Sequence, residues 1–410
     1  MGNASLDELR ALADSAGAEP VEEIVQARGG PDPATFVGKG TLGRLHDAVH
    51  AADAKLVILD DELSPGQLRN LEERLGVKVV DRTALILDIF ALHARSSEGK
   101  AQVELAQLNY LLPRLRGWGE AMSRMGGGVG TRRGPGETKL ETDRRQIRRR
   151  IAKLRRDIDD LARTRSIKRA ARERSGTPQV AIAGYTNAGK STLLNALTTA
   201  QALVANQLFA TLDPTTRRVA LPGGRKAALS DTVGFVRKLP HDLVEAFRST
   251  LEEVVRADLV LHVADASSPE LDAQIAAVRE VLGQIGAGGI PEVMALNKAD
   301  RVSAVDRARL RRRHPDAVLV SARDGDGLEA LLEAVSEALP SPPVEVTLLV
   351  PHDRGDLIAR LYREAEVLGN EPQDEGTRLH ARVGERHIPA VEPYLLRPAS
   401  ARSRRARLSQ

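Results

Sequence analysis

The chain has 410 residues, no cysteine and nine histidines, with 60 Lys and Arg against 56 Asp and Glu for a formal net charge of +4. Such a length exceeds one ordinary hydrophobic core and implies several domains. Without cysteine there is neither disulfide nor thiolate chemistry, and the histidines are scattered without ligand spacing. No run of about eighteen apolar residues is present. The start MGNASLDELRALADS places acids where a targeting segment would carry a basic head, so a cytoplasmic protein without a membrane segment is expected.

Residues 1–82 alternate helix-period stretches (DELRALADSAG, GTLGRLHDAVHAA, SPGQLRNLEERLG) with β-branched runs (PVEEIVQ, KLVILD, VKVVD). This pattern predicts a small α/β domain of parallel strands with helical crossovers. GKGTLGRL at 38–45 lacks the glycine spacing of a phosphate loop and reads as a helix start.

Residues 83–176 read as a helical hairpin arm. From Ala84 to Leu112 apolar or small residues fall at Leu87, Ala91, Ala94, Ala101, Leu105, Leu108 and Leu112, a coiled-coil seam with Glu98 as its one weak position. Ile147, Ile151, Leu154, Ile158 and Leu161 repeat the spacing on a second helix, predicted from about Lys139 to Arg174 and so about 50 Å long. The segment between, GWGEAMSRMGGGVGTRRGPGET, is too glycine-rich to be helical and makes a long tip loop. Between Pro113 and Ser175 stand 20 Lys and Arg but only 8 Asp and Glu, a surplus of 12 that leaves the rest of the chain at −8. A solvated helix face explains the density of charge but not its one-sidedness; a polyphosphate partner explains both.

In the block 177–340, GYTNAGKST follows the apolar run QVAIA and precedes a helical stretch. It fits G-x-x-x-x-G-K-[ST] as Gly184, Gly189, Lys190 and Ser191, with Tyr185, Thr186, Asn187 and Ala188 forming the turn and Thr192 opening the helix. Glycines let backbone N–H groups face phosphate oxygens, Lys190 supplies a positive charge, Ser191 is a Mg²⁺ ligand and the helix dipole favours the anion. ALSDTVGF places Asp231 where a carboxylate can hold the Mg²⁺ shell and Gly234 where a backbone N–H can meet a γ-phosphate. VMALNKAD supplies Asn297, Lys298 and Asp300, the last an acceptor for two guanine N–H donors that adenine lacks; VLVSARDG adds Ser321, Ala322 and Arg323 beside the guanine carbonyl. Beyond the linker SPPVEV, residues 341–410 predict a small α+β domain, built as a strand, a helix and another strand, and a disordered basic tail.

Together these motifs resemble the translation-factor class of P-loop GTPases, and the expected fold is an α/β GTPase domain with a mostly parallel sheet. The resemblance makes LFATLDPTTRRV the first switch, with Thr215 as the residue that meets Mg²⁺ and γ-phosphate and Thr211 and Thr216 as rivals. Phe235 stands where a Ras-like pattern has a water-positioning glutamine, so slow basal hydrolysis is expected. Asn187 occupies the place of an asparagine that helps hold K⁺ in potassium-activated GTPases; its alternative role is to stabilise the loop.

GGGVGTRRGPGETKLETDRRQIRRRI, KAQVELAQLNYLLPRL and DTVGFVRKLPHDLVEAFRSTLEE narrow the resemblance to the HflX family, from near Leu6 to at least Leu339. That resemblance implies a cytoplasmic GTPase that binds the large ribosomal subunit and its rRNA and splits stalled or idle ribosomes under stress; a monomer is expected. Arg132, Arg133, Lys139, Arg144, Arg145, Arg148, Arg149 and Arg150 then become contacts to RNA phosphates, and Trp118 either stacks on a base or packs the hairpin tip. Two other readings stay open: a GTPase of large-subunit assembly, and a GTP-sensing adaptor, for which Phe235 is the best argument.

Overall fold

The structure is a computed structural model and describes residues 2–26, 30–115, 135–174, 177–198, 208–209, 215–222, 226–237, 248–340, 344–384 and 388–396. Among these, no helix is long and apolar enough to cross a membrane. Residues 1–170 with 179–336 form one compact unit, and 171–178 with 337–410 form another.

The first unit begins with α1 (Gly2–Ser15) and α2 (Lys39–Ala51), followed by β1 (Leu56–Leu59), α3 (Pro65–Leu75) and β2 (Lys78–Asp81). β1 and β2 pair in parallel, as the crossover α3 requires. The ends of α3 are written locally. Ser64 and Gln67 form a reciprocal capping box with Pro65 in the first turn, and Gly76 closes the helix in the left-handed region at φ 68°. The expected third strand at PVEEIVQ does not form: residues 20–26 have no regular structure, and Val21 and Val25 are exposed. Two glutamates in the middle of that run leave too little apolar surface on either face to bury it.

The single long helix expected across 84–112 is two helices, α4 (Arg82–His93) and α5 (Ser97–Arg114). Ala94 is extended, and the Ser96 hydroxyl accepts the Gly99 N–H at 2.8 Å to start α5 afresh. A serine that satisfies an end-of-helix donor competes with continuation of the helix. Glu98, the flaw in the seam, thus sits in the first turn of a new helix, where the dipole favours an acid.

The second arm helix, α6 (Pro135–Arg174), has 40 residues, or about 60 Å, and begins four residues before the expected Lys139. Proline in the first turn loses no hydrogen bond, because that N–H has no intrahelical partner. α6 joins α5 where Arg150 grips Glu104 through two contacts of 2.6 Å, next to buried Ile151 and Leu154.

The block that carries the phosphate-loop motif follows as β3 (Gln179–Gly184), α7 (Lys190–Leu197), β4 (Thr215–Ala220), β5 (Lys226–Asp231), α8 (Arg248–Val255), β6 (Leu259–Asp265), α9 (Leu271–Gln284), β7 (Glu292–Asn297), α10 (Ala304–Arg313), β8 (Val318–Leu319) and α11 (Leu328–Ala338). Its six-stranded sheet runs β4-β5-β3-β6-β7-β8, parallel throughout except for β4 at one edge. β3 lies in the middle with near-continuous burial, so the loop at its end emerges over the carboxyl edge of the sheet.

This module shares a core with the N-terminal elements. Leu208, Phe209, Val233 and Val236 pack with Leu9, Leu12, Val80, Ile86 and Phe90, and Phe209 meets Phe90 edge-on at 4.6 Å. Such an aromatic pair adds about 1 kcal/mol beyond area burial.

The second unit holds β9 (Val344–Val350), α12 (Gly355–Glu364), β10 (Glu366–Gln373), β11 (Gly376–Val383) and α13 (Ile388–Val391). The sequence reading anticipated two strands, whereas β10 adds a third in an antiparallel sheet of order β10-β11-β9. EVLGNEPQ is polar and has a bulge between Val367 and Gly369, which hides its alternation. Leu357 and Leu361 of α12 cover Val346, Leu348, Leu379 and Ala381.

Replacement of Ser96 by alanine is expected to lower stability by about 1 kcal/mol in chemical denaturation, and by glycine only a few tenths. If alanine and glycine leave the midpoint where it is, Ser96 is not what divides the two helices.

Candidate functional site

β3, the turn 185–189 and α7 supply the strand, loop and helix that a phosphate cradle needs. Gly189 stands at φ 92°, and a Cβ there would lie 2.3 Å from the Asn297 amide nitrogen, so both conformation and space demand glycine. Lys190 is buried, and its Nζ donates to the carbonyls of Gly184 at 3.1 Å and Tyr185 at 3.0 Å. Burial pushes its pKa down to about 8, against the opposing pull of Asp231. Thr186 and Ala188 are buried in the turn, while Asn187 is exposed at φ 59°.

Asp231 ends β5, 2 % exposed, and accepts the Ser191 hydroxyl at 2.6 Å. Two of the three expected Mg²⁺ residues are therefore already side by side, an oxygen-only pair that suits a hard cation. Thr192 follows Ser191 in the first turn of α7. Three residues past Asp231, Gly234 lies on the turn so closely that a Cβ would meet Thr186 Cγ2 at 2.8 Å and Lys190 Nζ at 3.0 Å. Thr215 opens β4 directly opposite Asp231 in the register; Thr216 Oγ1 bonds Ser230 Oγ at 2.8 Å, and Thr211 lies outside the described residues.

Phe235 is 1 % exposed among Ala181, Ala183, Leu251 and Val254. Its carbonyl accepts the Thr186 N–H at 2.7 Å, and its own N–H donates to Gly184 at 3.1 Å. The ring is core, and its backbone extends the β3–β5 pairing past the strand ends.

The guanine-motif residues converge from two loops. Asn297, 2 % exposed, donates to the Ala188 carbonyl at 2.9 Å and accepts the Ala322 N–H at 3.0 Å, so its amide fastens the phosphate turn to the second loop. Lys298, at φ 61°, pairs with Asp265 at 2.8 Å. Asp300 accepts the Ser321 hydroxyl at 3.0 Å, and Arg323 is exposed. Spacing marked Asn297 as a base-binding residue; the geometry adds that its amide brackets the two loops.

Of the residues assigned to RNA, Arg145, Arg148 and Arg149 are exposed on α6 and Arg144 is half-buried. Arg150 is held by Glu104. Arg132, Arg133 and Trp118 lie outside the described residues, as does the side chain of Lys139.

The sequence reading assigned no role to a polar cluster against the phosphate turn. The Tyr185 hydroxyl donates to Glu8 and accepts the Arg237 N–H at 2.8 Å. Arg82, 3 % exposed, binds Glu8, Asp60 and the Arg237 carbonyl, the last at 3.0 Å. Burial works against the Arg82 charge, but Glu8 and Asp60 outweigh it and raise the pKa. Glu8 and Tyr185 are 177 residues apart, and no local pattern marks such a pair.

Residues 3–91 match a model described as the GTPase N-terminal region of GTP-binding proteins, residues 93–172 its middle region, and residues 179–298 a model described as 50S ribosome-binding GTPase. The GTPase HflX of Caldanaerobacter subterraneus subsp. tengcongensis is 49 % identical over 379 residues, 92 % of this chain and 87 % of that protein. GTPase HflX of Escherichia coli K12 is 44 % identical, covering 91 % of this chain and 88 % of its own. A GTP-binding protein from Sulfolobus solfataricus, solved with GDP, is 27 % identical and covers 82 % of this chain and 96 % of its own, with a TM-score of 0.43.

Phosphate oxygens favour the charged form of Lys190, so a triphosphate bound at this cradle raises a pKa that stands at about 8 in the free protein. Binding then takes up a proton above pH 8, and GTP affinity is expected to be about tenfold weaker at pH 9 than at pH 7. Titration calorimetry at the two pH values checks this; equal affinities and no proton uptake would remove the lowered Lys190 pKa as a factor in binding.

Proposed function

Because this chain belongs to the HflX family of GTPases and hydrolyses GTP, we propose that its nucleotide site controls the grip of a basic helical arm on the RNA of the large ribosomal subunit, and that the GTP-bound protein splits stalled or idle ribosomes in the cytoplasm. The observation that carries this reading is the exposed row Arg145, Arg148 and Arg149 on α6, in the same compact unit as the nucleotide cradle. Spacings of three and four residues put the three guanidinium groups on one helix face, suited to phosphate oxygens along a folded RNA. The description 50S ribosome-binding GTPase for the matching model points the same way.

In this reading Lys190 neutralises phosphate charge, Asp300 selects guanine, and the backbone N–H of Gly234 meets the γ-phosphate together with Thr215. Ser191 and Asp231 would hold Mg²⁺, with Thr215 completing the set in the triphosphate state, and the metal supplies further neutralisation of phosphate charge. The buried Phe235 cannot orient a water, so the basal rate is slow and contact with the large subunit raises it. Asn187, exposed on the turn, would help hold K⁺ as the missing positive charge. Splitting needs only tighter binding of the GTP state, and hydrolysis resets the cycle. The burial of Phe235 also favours a second reading, a GTP sensor without ribosome-stimulated turnover; single-turnover hydrolysis with and without large subunits separates the two.

Sedimentation with ribosomes is expected to show large-subunit binding in GTP and release in GDP; equal binding in both removes the coupling. Gln at Arg145, Arg148 and Arg149 together is expected to weaken GTP-state binding and reduce its logarithmic salt slope by about two to three. Removal of residues 126–136 is expected to abolish splitting, and turnover in K⁺ to exceed that in Na⁺; equal rates in the two salts would remove the role of Asn187.

A further inference from the structure

We propose that Tyr185 is a positioning residue for hydrolysis, its hydroxyl fixing the backbone after Gly234 to Glu8 and Arg82 of the N-terminal region, so that residues outside the GTPase module set the geometry of the segment that carries Gly234.

The polypeptide from Val233 to Arg237 is held at nearly every residue. Val233 and Val236 are buried in the core shared with the N-terminal helices. Phe235 is bonded through both its N–H and its carbonyl to the phosphate turn. At Arg237 the N–H donates to the Tyr185 hydroxyl and the carbonyl accepts from Arg82, so one peptide segment is gripped from the turn and from the N-terminal region at once. The Arg237 side chain is tied down separately by Glu270 at 2.9 Å. Gly234, in the middle of this stretch, lies against Thr186 and Lys190 with no room for even a methyl group. Where Gly234 sits relative to a γ-phosphate is therefore decided by the anchors on either side of it.

Tyr185 is the joint between these anchors. Its ring belongs to the GTPase core with Ala181, Ala183 and Phe235, a task that phenylalanine would perform equally well. Only its hydroxyl reaches out of that core, to Glu8 of α1 and to the Arg237 N–H. Burial, and then the Glu8 carboxylate, push its pKa well above the ordinary tyrosine value, so the group keeps its proton and remains a donor. Glu8 is itself bonded to Arg82, which also binds Asp60, and Asp60 accepts the Ser5 hydroxyl. Glu8, Asp60 and the two Nη atoms of Arg82 hold one another in a buried cluster, and removal of one link leaves a polar group there without that partner.

The first switch is tied to the same region. The Leu208 N–H donates to the Ser15 hydroxyl at 3.1 Å, and Phe209 is seated on Phe90. Each nucleotide-responsive segment that the structure describes thus has an attachment in residues 5–90.

The test is made on the purified full chain without ribosomes, so its outcome is separate from the ribosomal reading. Tyr185→Phe removes one oxygen and keeps the ring and the backbone carbonyl that accepts Lys190. A hydrogen bond to a charged partner corresponds to about 10- to 100-fold. Tyr185→Phe is expected to lower the single-turnover rate of GTP hydrolysis by at least 10-fold, with GDP affinity and KM for GTP changed less than twofold. Glu8→Gln is expected to act in the same direction, and the double variant to be no slower than Tyr185→Phe alone, because both changes break one chain of contacts. A purely adhesive role would lower the thermal unfolding midpoint and leave the rate unchanged; that result, a faster rate, or fully additive effects of the two substitutions would each overturn the proposal.

Discussion

The ammonium group of Lys190 is the constraint around which the nucleotide site is arranged. It is buried, and it draws the carbonyls of Gly184 and Tyr185 inward to replace its lost water. Without a phosphate, Asp231 only partly offsets the desolvation, and the group is held at a pKa of about 8. A cradle that keeps an incompletely compensated cation is primed for an anion, because the ligand relieves a cost that the fold already bears. The same ammonium limits its surroundings: Gly234 must be glycine, since any side chain would press on Lys190 and Thr186.

From that centre the site is built by brackets rather than by isolated ligands. Asn297 joins the phosphate turn to the loop of Ala322, Phe235 joins it to the strand that ends at Asp231, and Tyr185 joins it to Arg237 and Glu8. Hydrogen bonds inside a low-dielectric interior resist distortion, so a displacement at one bracket is felt at the others. A turn with three such attachments passes a displacement on to the rest of the first unit without any long-range device.

The arm follows a different physical logic. Among its described side chains, the buried contacts lie near Glu104, Arg150, Ile151 and Leu154, and Arg145, Arg148 and Arg149 face solvent. An exposed helix of about 60 Å is stable only where its apolar face is covered. Its like charges repel one another at low salt, an arrangement that a polyanion relieves.

Local chemistry was sufficient for much of this protein. The phosphate turn, Asp231 and the guanine motifs are legible from the sequence because each requires particular residue types at fixed short spacing, and the helix ends at Ser64 and Gly76 because caps are local bonds. The break between α4 and α5 was also legible in principle, in Ser96 ahead of Glu98, but the seven-residue seam ran through it and masked it. PVEEIVQ and EVLGNEPQ were misjudged because strand formation depends on partners and on the burial of a face, not on intrinsic propensity. Tertiary structure alone decided that Asn297 serves as a bracket, that Arg150 is occupied by Glu104, and that Glu8, Arg82 and Tyr185 meet at the Arg237 backbone. Those pairings join residues up to 177 positions apart, and nothing in a one-dimensional pattern encodes which distant charges will share a buried space once the strands and helices have packed.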